Sequence, residues 1–283
     1  MIRGIYTSTS GMLCEQARQD VIANNLANVD TTGFKKDIAV FRDKPSMQMH
    51  RIDDKRKFFG RELEIDMRPY IGKLGTGASV DEIRTIHTQG KLQKTDNNLD
   101  FAIVGEGMFA VDTEDGIRYT RAGNFKVGTN GYLVDAEGRN VMALKEPAVM
   151  NEGNILVDSK GEFALNASYV PVGEADKVDV NEAGQVFING NPTHRLMVVK
   201  FDKPKYMRKI GYNLYATDDD RVGYGRFNDN TKIEQGMLEK SNVNIVREMV
   251  NMITVHRAYE TNQRCITSED STLGRLISQV GSR

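Results

Sequence analysis

Few clusters in this sequence of 283 residues have the residue types that chemistry requires, and each lacks part of its pattern. The basic and aromatic run Lys55–Phe59 has the composition of a nucleic-acid contact, but flanking aspartates and glutamates cancel its charge. Gly105-Glu106-Gly107 has two glycines of a dinucleotide-binding fingerprint, without the third glycine and the helix that follows it. We therefore interpret the first as solvated surface and the second as a turn between strands.

The acidic, histidine and thiol groups form no catalytic or metal-binding pattern either. Asp218–Asp220 lacks the spaced ligands and the glutamate of a calcium loop, and the four histidines are scattered without metal-ligand spacing. Cys14 and Cys265 lie near opposite ends, so we predict neither a metal site nor a disulfide framework and interpret both thiols as buried or idle. The sequence predicts no catalytic residue, no cofactor and no metal, and hence a protein that is not an enzyme.

The composition gives no support for two further classes of partner, nucleic acids and membranes. The 38 basic and 39 acidic residues give a net charge of −1, which offers no electrostatic basis for binding nucleic acid or an acidic membrane. No stretch approaches the roughly 18 apolar residues of a membrane-spanning helix, and the N-terminus lacks the apolar core of a secretory signal. The informative features are therefore the elements at the two ends of the chain.

The N-terminal element is predicted to be an amphipathic helix with an asparagine-rich end. Its apolar residues recur at helical spacing from Ile5 to Val29, and Asn24, Asn25 and Asn28 then stand where a surface helix would carry lysine or glutamate. Their amides can donate and accept, which favours hydrogen bonding across a packed seam, within one subunit or between two. Gly33 can take the positive φ that ends a helix, so we predict a hinge there.

The C-terminal element has a stricter pattern. Its seam members step by four and three residues: Ile245, Met249, Met252, His256, Tyr259, Gln263, Ile266, Asp270, Leu273, Ile277 and Val280. This heptad pattern predicts a long helix. Because each helix needs a cover for its stripe, we predict that the two ends pair as a coiled coil, and that its remaining surface binds further copies.

The middle of the chain is predicted to be β-rich. Phe101–Val104 and Met108–Val111 have the composition of short buried strands, and glycine-containing turns recur as far as Asn189-Gly190. The predicted fold is α+β: a discontinuous coiled coil of N- and C-terminal helices with an inserted antiparallel β-rich domain. Its parts are a helical domain (1–36 and 240–283), an extended arm or connector (37–88 and 205–239) and the β-rich domain (89–204).

Three segments resemble the bacterial flagellar rod and hook proteins. The N-terminal signature is Ser10-Gly-Met12 followed by Val21–Lys35, and the C-terminal one is Gln235–Asn244 with Glu248–Ile253 and Arg257–Asn262. The block Gln89–Phe109 is similar to the family's entry into its β domain. Together they cover about a third of the chain in the family's order.

The resemblance implies a structural subunit of the flagellar basal-body rod that assembles helically and transmits torque from motor to hook. It implies as partners copies of this chain, other axial proteins and the flagellar type III export apparatus, with surrounding ring or bushing proteins as further candidates. It implies a periplasmic rod location and export without a cleaved signal peptide. The N-terminus Met1–Thr7 resembles proximal rod proteins of the F type, which we expect, and the distal G type is the alternative. A β-domain binding module dimerised by its helices is the alternative from a different class.

The predicted subunit interface combines the helix faces and the signature segments. Its residues are Ile5, Met12, Leu13, Val21, Asn24, Asn25, Leu26, Asn28, Phe34, Asn242, Val243, Ile245, Met249, Met252, Ile253, Tyr259, Ile266, Leu273 and Ile277.

Overall fold

The computed structural model describes residues 2–51, 55–58, 61–66, 69–145, 155–157, 167–173, 177–223, 225–227 and 231–281. A long helix lies near each end and short strands lie between them, which confirms the predicted α+β class. Among the described residues, no helix is both long and apolar enough to cross a membrane.

The helices are α1 (Ile2–Ala27) and α2 (Ile245–Gly281), with 3₁₀ turns at Pro204–Tyr206 and Asp220–Val222. The strands are β1 (Asp37–Asp43), β2 (Met47–His50), β3 (Lys55–Phe58), β4 (Arg61–Asp66), β5 (Tyr70–Leu74), β6 (Ala78–Thr85), β7 (Leu92–Lys94), β8 (Phe101–Val104), β9 (Met108–Thr113), β10 (Gly116–Thr120), β11 (Lys126–Val127), β12 (Leu133–Val134), β13 (Met142–Lys145), β14 (Ile155–Val157), β15 (Ala167–Tyr169), β16 (Val178–Val180), β17 (Gln185–Ile188), β18 (Asn191–Leu196), β19 (Val198–Phe201), β20 (Arg208–Gly211), β21 (Leu214–Ala216), β22 (Gly225–Phe227), β23 (Lys232–Gln235) and β24 (Met237–Glu239).

The chain divides into two compact units. The helical unit comprises Met1–Asn24, Ile38–Ile83 and Val246–Arg283, and the β unit comprises Asn25–Asp37 and Arg84–Ile245. The segment predicted as connector, 37–88, is therefore shared between the two units, and most of it belongs with the helices.

In the helical unit, α1 and α2 lie against each other in antiparallel orientation. A Cβ atom on Gly4 would meet the Glu269 carboxylate, and one on Gly11 would lie 3.0 Å from the Asn262 amide. Moving seven residues forward along α1 thus moves seven residues backward along α2. The two glycines leave room for polar side chains of α2 in this contact.

The predicted register of the C-terminal seam is wrong at every second position. The side chains of α2 that the chain covers at least partly include Glu248, Met252, Val255, Tyr259, Asn262, Ile266, Glu269 and Leu273. His256, Gln263 and Asp270 are exposed. At these three positions the covered residue is the preceding one, Val255, Asn262 or Glu269, which corresponds to about 100° of rotation around the helix. The glycines of α1 admit Asn262 and Glu269, so apolar spacing alone did not identify the covered column.

The charged stretch between α1 and the β unit, predicted to be an extended arm or connector, forms strands. Its two-stranded sheets are β1–β6, β2–β5 and β3–β4. The side chains of β2 are exposed throughout. Parts of the predicted arm, at 52–54, 59–60 and 67–68, lie outside the described residues.

The β unit contains two larger antiparallel sheets. One has the order β14-β22-β19-β9-β10-β21-β20 and the other β15-β13-β18-β17-β16; β11–β12, β8–β23 and β7–β24 form small pairs. The return segment Gly211–Glu239 was expected to be loop-like, but β21 to β24 lie in it. Its apolar residues Leu214, Tyr215 and Ile233 are buried, which stabilises these short strands against the core.

Strand β9 lies between two hydrophobic clusters. Phe109 and Val111 belong to one cluster, whereas Met108 and Ala110 belong to the other. Because successive side chains of a strand point to opposite faces, β9 is covered on both sides.

Candidate assembly site

The first turns of α2 carry an apolar face that stays exposed in the single chain. Val246 is 71% exposed, Met249 49%, Val250 57% and Ile253 55%. We call these four residues the α2 face. Monomeric proteins rarely expose such contiguous apolar surface unless it binds something.

The α2 face points away from the buried side of its helix. With 3.6 residues per turn, Val255 lies about 180° around the axis from Val246, and Val255 has no exposed surface. The two opposite sides of the same turns therefore differ in role: one is covered by the chain itself and the other is available to another molecule.

The predicted interface residues fall into three groups. The exposed ones are Leu13, Asn24, Ile245, Met249, Ile253 and Ile277; the partly covered ones are Ile5, Met12, Leu26, Asn28, Val243, Met252, Tyr259, Ile266, Leu273 and Asn242; the buried ones are Val21, Asn25 and Phe34. Contact of the exposed group with another subunit stays a prediction. Val246 and Val250 were missed, although their spacing to Ile253 is also helical.

The contacts of Asn25 show whether its amide bonds within one subunit or between two. Its Nδ2 donates to the Asp37 carbonyl at 2.8 Å, and its Oδ1 accepts from the Asp37 N–H at 2.8 Å. The side chain is 1% exposed. This amide therefore bonds inside its own chain and closes the loop of residues 25–37.

Glu239, at the end of β24, holds that loop with buried charges. Its carboxylate accepts from Lys35 Nζ, from Arg121 Nη1 at 3.2 Å and from the Gly90 N–H at 2.7 Å. Lys35 also donates to the Thr88 carbonyl at 2.8 Å. Lys35, Arg121 and Glu239 are each at most 5% exposed, so the three charges depend on one another.

Asn242 joins the same loop to the segment that follows β6. Its Oδ1 accepts from the Lys36 N–H at 2.8 Å, and its Nδ2 donates to the Ile86 carbonyl at 2.9 Å and to the Thr88 side chain at 3.0 Å. The predicted interface residue Asn242 is thus engaged within the chain, three residues before α2 begins.

Lys209 on β20 adds a second ion pair. Its Nζ donates to Asp37 Oδ2 at 2.9 Å and to the Lys35 carbonyl at 2.8 Å, and it lies 3.9 Å from the centre of the Phe34 ring. The other oxygen of Asp37 accepts from Thr85 Oγ1 at 2.6 Å. We call Asn25, Lys35, Asp37, Thr85, Arg121, Lys209, Glu239 and Asn242 the junction network.

Gly33 occupies a fixed turn within this arrangement. Its φ is +68°, and its N–H donates to the Glu239 carbonyl at 2.7 Å. A Cβ atom at this position would lie 2.4 Å from the Ala122 nitrogen. The hinge expected at Gly33 stays a prediction.

Burial disfavours the charged forms of these cations, and their partners oppose it. Desolvation lowers the pKa of Lys35 against the raising effect of Glu239. Desolvation lowers the pKa of Lys209 in the same way, against Asp37. Removing one partner of such a buried pair leaves an uncompensated charge and costs about 3–5 kcal/mol.

The junction network ties together the segments by which the chain enters and leaves the β unit. These passages lie next to Asn25, Asp37, Arg84 and Ile245. The network has a member at each or within three residues of it: Asn25, Asp37, Thr85 and Asn242. Among the described residues, no group of three or more histidine, cysteine, aspartate or glutamate side chains is arranged to hold a metal.

Three family profiles match successive parts of the chain. "Flagella basal body rod protein" matches residues 5–35, "Flagellar hook protein FlgE/F/G D1 domain" residues 102–188, and "Flagellar basal body rod FlgEFG protein C-terminal" residues 234–279. The first and third include Lys35 and Glu239, the two ends of the buried ion pair.

Curated relatives match over nearly the full length. The flagellar basal-body rod protein FlgG of Bacillus subtilis is 32% identical, covering 98% of this chain and 99% of its own. FlgG of Borreliella burgdorferi is 33% identical, covering 97% of each chain. FlgG of Buchnera aphidicola from Schizaphis graminum is 34% identical, covering 98% and 99%. These names do not support the expected proximal F type, and the G type fits at least as well. On this similarity the chain belongs to the flagellar basal-body rod protein family and is a structural subunit of the rod.

Proposed function

We propose that this chain is the distal rod subunit, of the G type, and that it assembles with copies of itself and with other axial proteins. Similarity to proteins named FlgG over 97–99% of their length supports this assignment. This similarity extends through the arm region. From that region the sequence alone did not decide the position of the subunit along the rod.

The α2 face carries the proposal of self-assembly. A face of four apolar side chains, each about half or more exposed, gains free energy when another molecule removes it from water. A head-to-tail contact between unlike surfaces that does not close into a ring produces a helical filament, which is the geometry that a rod requires. Periplasmic location and export by the flagellar type III apparatus belong to the same proposal.

The experiment is electron microscopy of basal bodies from a strain that lacks this gene. We expect a short rod that ends at its proximal part, without the distal segment and the hook. Restoring the wild-type gene should restore both. A deletion strain with no rod at all would overturn the distal assignment in favour of a proximal one, and intact basal bodies would overturn both.

A further inference from the structure

His87 is a partly buried histidine at the edge of the junction network. It stands between Ile86, whose N–H donates to the Lys36 carbonyl at 2.9 Å, and Thr88, whose carbonyl accepts from Lys35. Its ring meets the ring of the buried Tyr215 edge-on, with centroids 5.2 Å apart. His87 therefore stands between two contacts that hold the loop 25–37.

The charged groups around His87 are unfavourable to a further positive charge. Lys35, Arg121 and Lys209 face it from the loop 25–37, from the end of β10 and from β20. The nearby carboxylates are already paired: Glu239 with Lys35 and Arg121, and Asp37 with Lys209.

A cavity of about 370 Å³ adjoins His87. Arg121 of the junction network also lines it, together with Glu106, Lys200, Asp202 and Pro204. Glu106 is paired with Lys200 at 2.6 Å. Among the described residues, neither ring nitrogen of His87 has a hydrogen-bond partner. The Pro204 backbone favours a protonated ring, but its effect on the pKa is smaller than those of burial and the three cations.

We propose that His87 is an acid-sensitive release point of the junction network, at which protonation of the imidazole separates the loop 25–37 from residues 86–90. A proton on the ring would place a fourth positive charge beside three buried or partly buried cations. The cavity gives the charged ring a route toward solvent, and moving along it breaks the Ile86 and Thr88 contacts. This inference does not depend on the position of the subunit in the rod.

The direction of the pH dependence follows from the two protonation states. Burial, then Lys35, Arg121 and Lys209, lower the pKa of His87 from 6.5 to about 4. Between these values the open state binds more protons than the closed state, so acidification favours opening. The stability contributed by neutral His87 is complete above pH 6.5, is lost progressively as the pH falls toward 4, and changes no further below that.

The test is amide hydrogen exchange on the full chain at pH 7.5 and pH 5.0, corrected for intrinsic exchange rates. The reporters are the N–H groups of Gly33 and Ile86, which donate to Glu239 and Lys36. In the wild type, protection should fall roughly 30-fold between the two pH values, as proton linkage with pKa values of about 4 and 6.5 requires. In His87→Gln, which cannot be protonated, the fall should be under about threefold.

His194→Gln is the matched control. His194 lies on β18 in the same unit, and burial also lowers its pKa, but none of the hydrogen bonds and ion pairs described above for the network involves it. This variant should keep the wild-type fall. If His87→Gln keeps it as well, the carboxylates of the network cause the acid sensitivity and the proposal is wrong; loss of the fall in His194→Gln would also overturn it.

A second measurement needs no substitution. Nuclear magnetic resonance titration of the wild-type His87 ring should show a midpoint well below 6.5, accompanied by loss of protection at Gly33. A ring that titrates near 6.5, or that titrates without any change at Gly33, contradicts the proposal even if His87→Gln fails to fold.

Discussion

The two units of this chain differ in where they place groups that are costly to accommodate: charged side chains in the β unit and apolar side chains in the helical unit. The β unit buries five charged members of its junction network partly or fully and pairs them with one another. The helical unit leaves apolar side chains of α2 exposed, with Val246 at 71%. The charges of the network are therefore paired within a single subunit, whereas the apolar face of α2 is uncovered in the single chain.

This difference suggests how a rod subunit can be both soluble and able to polymerise. Its closed β unit supplies a defined shape and holds the points at which the chain enters and leaves it. In the proposed assembly, burial of the α2 face supplies the free energy of association. The same kind of substitution should therefore have different consequences in the two units: loss of assembly in one and loss of folding stability in the other.

The largest expected effect is on assembly. Val250→Asp places a charge in the α2 face, which costs little while the face is in water. In a subunit contact the same charge would be buried without a partner, at a cost of about 3–5 kcal/mol for each contact. We expect the variant to accumulate but to leave the deletion strain non-motile, as measured by swimming in soft agar and by electron microscopy of basal bodies.

Thr261→Asp is the control for this prediction, because Thr261 is an exposed polar residue on the same helix. It should restore swimming. Normal rods in the Val250→Asp strain would show that the α2 face is not a subunit contact, and the contrast between the two units would then need another explanation.

The next effect concerns the free energy of unfolding. Glu239→Ala removes the carboxylate that Lys35, Arg121 and the Gly90 N–H share, so two buried cations lose their partner. We expect the β unit to lose about 3–5 kcal/mol, measured by denaturant unfolding of the purified chain.

Glu182→Ala removes the carboxylate of an exposed ion pair with Lys232, and solvent-exposed pairs contribute little to stability. This variant should unfold at nearly the wild-type denaturant concentration. Equal losses in the two variants would mean that burial does not distinguish these ion pairs.

The sequence predicted the features that depend on local pattern. The structure contains the two terminal helices and the strands at Phe101–Val104 and Met108–Val111. A positive φ is found at the turn glycines Gly116, Gly131, Gly138, Gly184 and Gly190. Each is encoded within a few residues, by helical spacing, by a short apolar run or by a residue that tolerates positive φ. The turn expected at Lys160-Gly161 lies outside the described residues.

The junction network was not predictable in the same way. Lys35 and Glu239 are 204 positions apart, and nothing in the residues around either one indicates the other. Lys35 stands in a Lys-Lys dipeptide and Glu239 in a Glu-Lys dipeptide. Such charged pairs by themselves predict side chains on the solvent-exposed surface. The prediction of which α2 residues pack on α1 was wrong for a related reason. Gly4 and Gly11 lie on the other helix, and they decide which α2 side chains fit.

A smaller effect, at Gly33, tests whether the loop 25–37 is fixed or acts as a hinge. Gly33→Ala combines two costs, the positive φ of +68° and a Cβ atom 2.4 Å from the Ala122 nitrogen. Strain of this kind costs on the order of 1–3 kcal/mol, and the backbone contact should bring the loss to the upper end. Gly138→Ala is the matched control, since its φ is +88° but nothing lies within 4 Å of the new atom. The difference between their free energies of unfolding isolates the contact with Ala122. If the two variants lose the same stability, the loop moves away from Ala122 at little cost and Gly33 is a hinge; a larger loss in Gly33→Ala means that the junction network holds the turn in place.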